Sequence, residues 1–186
     1  MAHSTKKLAV SLVALAATLM LFATLSAVAQ TVPGTDGAII NPAIDEAAYV
    51  RVVADALDHR AGRRLSEADF LRMSHEPGTI VLDARSKARF DELHIAGAIN
   101  LSFPDIAIGS LALALPDKGA RILIYCNNNF TGAESAFPAK LASASLNLPT
   151  YVALYDYGYR NVWELGPLID VEATALAFEG EAAPKR

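Results

Sequence analysis

The chain has 186 residues and a net charge of −4, which suits one domain with terminal segments and speaks against a nucleic-acid partner. No basic patch stands out; the group Arg60, Arg63 and Arg64 reads as a solvated face. A single cysteine excludes an internal disulfide, and four scattered histidines lack the spacing of metal ligands.

At the N-terminus, Lys6 and Lys7 precede an apolar run from Leu8 to Leu25, and Ala27, Val28 and Ala29 supply the small-x-small pattern cut by signal peptidase. The pattern predicts a signal peptide over residues 1–29 and export, to a periplasm or outside the cell. The run is also long enough to stay as a membrane anchor if it is not cleaved, and this is the only membrane attachment the sequence offers. Residues 30–61 read as a linker and an N-terminal helix. Thr31 to Pro42 is rich in turn-forming residues. Ile44 to His59 is helical, with Ala47, Val50, Ala54 and Leu57 on the face expected to pack on the domain, and Gly62 ends it.

Residues 62–170 carry the pattern of an α/β domain with a mainly parallel sheet flanked by helices. Ser66 with Asp69 resembles a capping box and predicts a short helix to His75. Pro77 and Gly78 turn the chain into a buried strand over Thr79 to Leu82. Ser86 to Leu93 forms a short helix or turn, and Ala98 to Leu101 a second strand. Leu111 to Leu115 is a helical piece ended by Pro116. Ile122 to Tyr125 is the third strand and Val162 to Leu165 the fourth. Residues 171–186, acidic and rich in alanine, read as a loosely held C-terminal tail.

Cys126 follows the third strand directly and opens the polar stretch Asn127, Asn128, Asn129, Phe130, Thr131 and Gly132. In parallel sheets, ligands gather at the C-terminal ends of strands. A thiol there, facing loop N–H groups, is placed for thiolate chemistry, because such donors stabilise negative sulfur. The same position also suits a small buried hydrophobe. The asparagines can donate to an anion or polar substrate, or can simply build a turn. Phe130 can wall a pocket or anchor the loop.

The stretch Val81 to Arg85, then Phe90, then Leu93 to Asn100 resembles the rhodanese (sulfurtransferase) family. Tyr125 with Cys126, and Gly158 to Val162, continue the resemblance, which spans about Leu65 to Leu165. It implies a single rhodanese-like domain in which Cys126 takes sulfane sulfur as a persulfide and passes it on, with no metal or organic cofactor. Asp83, Arg85, His94 and Gly97 belong to the matching motifs, and their residue types suit structural roles. The helix ending at Gly158 counts back to a start near Asn147, with Pro149 in its first turn. Residues from about Phe130 to Ser145 therefore read as an insertion between the cysteine and that helix, in which Thr131 and Glu134 fit a helix cap. The family's positive or hydroxyl residues after the cysteine have no counterpart in sequence; Lys140 and Arg160 are candidates for a missing charge. A phosphatase would need an arginine shortly after the cysteine, and none occurs before Arg160.

Two readings follow. One is a sulfurtransferase acting on a small sulfur donor and a thiol acceptor, or on a protein partner, through Cys126 and the loop Asn127 to Gly132. The other is a catalytically inactive module of the same fold that binds a partner or small ligand through Asn127 to Phe130.

Overall fold

The computed structural model describes residues 41–183. The predicted signal peptide and most of the linker lie outside this range. Everything described from Ile44 onward belongs to one folded unit.

A five-stranded, fully parallel sheet forms the middle of the unit. Its strands are β1 (Arg64–Leu65), β2 (Thr79–Asp83), β4 (Ile99–Asn100), β5 (Arg121–Tyr125) and β7 (Val162–Leu165), in the spatial order β1-β7-β5-β2-β4. The four strands predicted from apolar runs are β2, β4, β5 and β7. β1 escapes such a search because Arg64 and Leu65 belong to no apolar run.

The pleat sorts side chains into two cores. On one side, Val81, Leu123, Tyr125 and Leu165 meet Phe70 and Met73 of α2 (Glu67–Ser74). On the other, Leu82, Ile122, Ile124 and Val162 meet α1 (Glu46–Ala61), α4 (Ile108–Ala114) and α5 (Asn147–Asp156). A further short helix, α3 (Lys87–Glu92), follows β2. The expected cap of α2 is present: Ser66 Oγ accepts from the Asp69 amide at 3.1 Å and donates to the Asp69 carboxylate at 2.8 Å.

Asp83 and Arg85 sit at the end of β2, essentially unexposed. Arg85 Nε lies 3.0 Å from both Asp83 oxygens, and a terminal nitrogen reaches Oδ2 at 2.6 Å. The other contacts of that guanidinium go to carbonyls, Ala136 at 2.8 Å and Leu93 at 2.7 Å. Its plane covers Phe137, 4.1 Å from the ring centre. Tyr125 donates to Asp83 Oδ2 at 2.6 Å and accepts from the Ile95 amide at 3.1 Å. Burial, then the neighbouring Asp83 charge, push the Tyr125 phenol well above its usual range.

His94 opens β3 (His94–Ile95) and packs against the preceding helix. Its Nδ1 contacts the Phe90 carbonyl at 2.7 Å and its ring stacks on Phe90. Gly97 holds φ at +76°, a backbone that side-chain-bearing residues rarely adopt.

Two expectations need correction. The segment from Val171 is pinned rather than loosely held. β9 (Phe178–Glu179) pairs antiparallel with β3 (His94–Ile95), and Leu176 and Val171 are buried in the first core. Gly180 passes so close to the Glu92 carbonyl that an added Cβ would stand 2.6 Å from it. The second correction concerns α1. Val50 is 62% exposed and Leu57 39% exposed, while Val52, Val53 and Ala56 face the domain. Polar contacts turn the helix this way. Arg60 grips the buried Glu164 of β7 with two bonds of 2.5 Å, and His59 Nδ1 meets the Tyr151 hydroxyl at 2.8 Å.

Replacing Arg85 with Met leaves the Asp83 carboxylate buried and unpaired, which should cost about 3–5 kcal/mol in urea unfolding. Arg72→Met, at an exposed pair with Asp69 and Glu76, should cost about 1 kcal/mol or less. His59 is held below its ordinary value of 6.5 by burial, then by Arg63 and Arg160. The unfolded chain therefore binds the proton more readily. Stability from this site is present above that value and is lost as pH falls below it. His59→Gln should flatten the fall in the urea midpoint between neutral and mildly acidic pH.

Candidate functional site

Alternation along β5 places Leu123 and Tyr125 in one core and Ile122 and Ile124 in the other. The next side chain, Cys126, falls on the side of α5. β5 lies between β7 and β2, so the cysteine ends an inner strand of the sheet. The thiol is unpaired and only 1% exposed.

Residues Asn127–Asn129 wind into a single 3-10 turn, closed by the Asn129 amide on the Cys126 carbonyl at 3.2 Å. Among the described residues, the hydrogen-bond partner of the sulfur is the Ser145 hydroxyl, at 3.2 Å. Ser145 lies nineteen positions downstream, just before α5, so no local motif around the cysteine could reveal it. The presence of a serine immediately ahead of the helix start was the only available signal.

The three asparagines have separate tasks. Asn129 is buried and fully engaged. Its Oδ1 accepts from the Cys126 amide at 2.9 Å and from Asn147 at 3.0 Å. Its Nδ2 donates to the carbonyls of Leu165 at 2.8 Å and Pro167 at 3.2 Å. Asn128 pairs with the backbone of Lys140, donating to its carbonyl at 2.8 Å and accepting from its amide at 3.3 Å. Only Asn127 keeps a free acceptor, since its buried Oδ1 has no partner. Asn147 Oδ1 and Thr150 Oγ1 at the start of α5 are likewise buried and unpartnered. Buried polar atoms without partners are rare in folded proteins, and these three belong to the cysteine turn and the start of the helix beside it.

The rest of the predicted loop turns away from the sulfur. Phe130 is an anchor, buried among Tyr125, Phe137 and Phe178. Phe130 and Thr131 form β6, which runs parallel to β8 (Ile169–Asp170), and Gly132 follows with φ at +81°. No helix starts at Thr131. The Glu134 carboxylate instead accepts from the Gly132 amide at 3.2 Å. The inserted segment first dives into the core through Ala136 and Phe137, where Ala136 supplies a carbonyl to Arg85. It then returns past Asn128 and delivers Ser145.

The cations considered from sequence are not gathered at the sulfur. Arg160 stacks on Tyr155 near the far end of α5, 3.7 Å from the ring centre. Lys140 approaches through its main chain, with an exposed side chain. Asp83 ends β2 beside β5 with Arg85 just after it, His94 lies in β3 and Gly97 in the turn that follows, and among the described residues none of the four hydrogen-bonds to Cys126.

A family model described as "Rhodanese-like domain" matches residues 66–165. No curated protein matches the chain. Solved structures similar to it include the BH2092 protein from Bacillus halodurans, at 20% identity and a TM-score of 0.49, covering 72% of this chain and 88% of that one. A rhodanese with anions from E. coli has 21% identity and a TM-score of 0.38, covering 55% and 98%. The Alr3790 protein from Anabaena sp. has 24% identity and a TM-score of 0.42, covering 62% and 80%.

The pairing of Asn128 with Lys140 holds the returning segment against the cysteine turn. Asn128→Ala should leave urea stability within about 1 kcal/mol of wild type, because the side chain is only partly buried. It should raise the rate of Cys126 alkylation by iodoacetamide roughly threefold or more, as the cover opens more often.

Proposed function

The chain belongs to the rhodanese-like domain family, and we propose that it transfers sulfane sulfur through a Cys126 persulfide. The observation that carries this reading is the contact between the cysteine sulfur, at the end of an inner strand, and the Ser145 hydroxyl at 3.2 Å. The Cys126 thiolate attacks the outer sulfur of a donor. A sulfur–sulfur bond forms on the enzyme, the donor's own sulfur–sulfur bond breaks, and the remaining thiolate or sulfite leaves with the electron pair. An acceptor thiolate then attacks the outer sulfur of the persulfide, and Cys126 is released as thiolate. Ser145 is placed to donate a hydrogen bond to the sulfur while it carries charge. Cys126 is the nucleophile, and Asn129 positions it through its backbone amide.

The surroundings of the sulfur favour an organic or protein-borne persulfide over thiosulfate as donor. A sulfonate group would call for a cation, and Arg85, Arg160 and the Lys140 side chain are all directed elsewhere. Of the buried polar atoms without partners, the amide oxygens of Asn127 and Asn147 can only accept hydrogen bonds, while the Thr150 hydroxyl can also donate. Access requires the segment from Pro138 to Ser145 to lift, since the sulfur is covered. Export is part of this proposal. It is supported by Lys6 and Lys7, the apolar run from Leu8, and the small residues before Gln30.

A second reading is favoured by that same burial. A thiol only 1% exposed also suits a module that binds without turnover.

The test is intact-protein mass spectrometry after exposure to glutathione persulfide and, separately, to thiosulfate, with Cys126→Ser as control. We expect the wild type to gain one sulfur atom, faster from the persulfide, and the variant to gain none. A wild type that gains no sulfur from either donor, while its thiol still alkylates, contradicts sulfur transfer and leaves the binding module.

A further inference from the structure

One sequence pattern finds no use in the fold or at the cysteine. Along α1, Ala47, Val50, Ala54, Leu57 and Ala61 recur at alternating steps of three and four residues, the spacing of a coiled-coil seam. The domain does not cover this seam. It takes the opposite side of the helix, through Val52, Ala56, His59 and Arg60. Val50 and Leu57, the two largest side chains of the seam, stay 62% and 39% exposed. A soluble helix that buries one face ordinarily presents charge on the other; this one presents a second apolar stripe about 21 Å long, at 1.5 Å per residue.

The charges flanking the stripe identify its occupant. With Ala47 and Ala54 at position a and Val50 and Leu57 at position d, Arg51 and Asp58 both fall at position e. Neither has an ion pair or hydrogen bond among the described residues, although the neighbouring Arg60 and Arg64 are paired with Glu164. In an antiparallel pair of helices, the e positions of one face the e positions of the other. Two copies of α1 related by a two-fold axis would therefore set Arg51 of each against Asp58 of the other, twice over, with the alanines letting the helices approach closely.

We propose that the α1 seam is a homodimer interface, in which a second copy of this chain docks antiparallel along Val50, Ala54 and Leu57. The patch is one helix wide, which makes the dimer weak and concentration-dependent, with dissociation in the micromolar range or above. The proposal does not rest on sulfur transfer, and either can fail without the other.

Sedimentation velocity over a concentration series, on the intact chain as the cell delivers it, tests the proposal. A reversible monomer–dimer equilibrium is expected. Val50→Glu should shift it to monomer by tenfold or more, at an exposed position that leaves the fold unharmed. Arg51→Asp and Asp58→Arg should each weaken the dimer severalfold, because each sets like charges together. The double variant Arg51→Asp with Asp58→Arg should restore it. A chain that remains monomeric at high concentration overturns the proposal, as does a dimer indifferent to Val50→Glu. Failure of the double charge reversal to rescue overturns the antiparallel arrangement. A monomer that instead co-sediments with phospholipid vesicles through Val50 and Leu57 assigns the seam to a membrane surface and also overturns it.

Discussion

The buried pair of Asp83 and Arg85 is the constraint on which the architecture around the cysteine depends. A guanidinium taken out of water is costly unless its donors are satisfied. Here four of the five go to the Asp83 carboxylate and to two carbonyls, those of Leu93 and Ala136. Those partners lie on different parts of the chain. Leu93 ends α3, Ala136 belongs to the inserted segment, and Asp83 ends β2. Asp83 also receives the Tyr125 hydroxyl from β5. Tyr125 immediately precedes Cys126, so the register that seats the phenol on Asp83 also sets where the thiol emerges. The same arginine draws the inserted segment into the core, and the remaining length of that segment returns Ser145 to the sulfur.

Much of this could be read from the residues. Apolar runs bounded by Pro, Gly and polar turns marked the four main strands, and Ser66 marked a helix start through its local cap. Asp83, Arg85, His94 and Gly97 each lie in a short motif at a strand end or turn, which is where the fold places them. The face of α1 was not readable in the same way. Its most regular apolar stripe is the exposed one, while the side taken by the domain is chosen by distant partners, Glu164 for Arg60 and Tyr151 for His59. Periodicity has no means of weighing those contacts. The two-residue strands β1, β3, β6, β8 and β9 are likewise made by their neighbours rather than by their own pattern.

The cysteine turn shows what local chemistry leaves open. Three consecutive asparagines suit either donors aimed at a ligand or a simple turn. In the fold, Asn129 is spent on the Cys126 amide and on β7, and Asn128 on the backbone of Lys140. What faces the sulfur is a serine hydroxyl brought from far along the chain. Among the described residues, the buried side-chain oxygens without partners, those of Asn127, Asn147 and Thr150, lie in the cysteine turn and at the start of α5. The surroundings of the sulfur thus combine the Ser145 hydroxyl with the unpartnered Thr150 hydroxyl and two unpartnered amide oxygens at the start of the neighbouring helix and in the turn.

Sulfur transfer requires that the sulfur pass through Cys126 rather than merely rest there. The most direct measurement follows an isotopically labelled outer sulfur from glutathione persulfide, through the protein freed of excess donor, to a thiol acceptor added afterwards. The account predicts that the label leaves the wild type for the acceptor within the lifetime of the loaded protein, and that Cys126→Ser carries none. Label that stays on the protein, or that reaches the acceptor equally well with the Cys126→Ser variant, would contradict it.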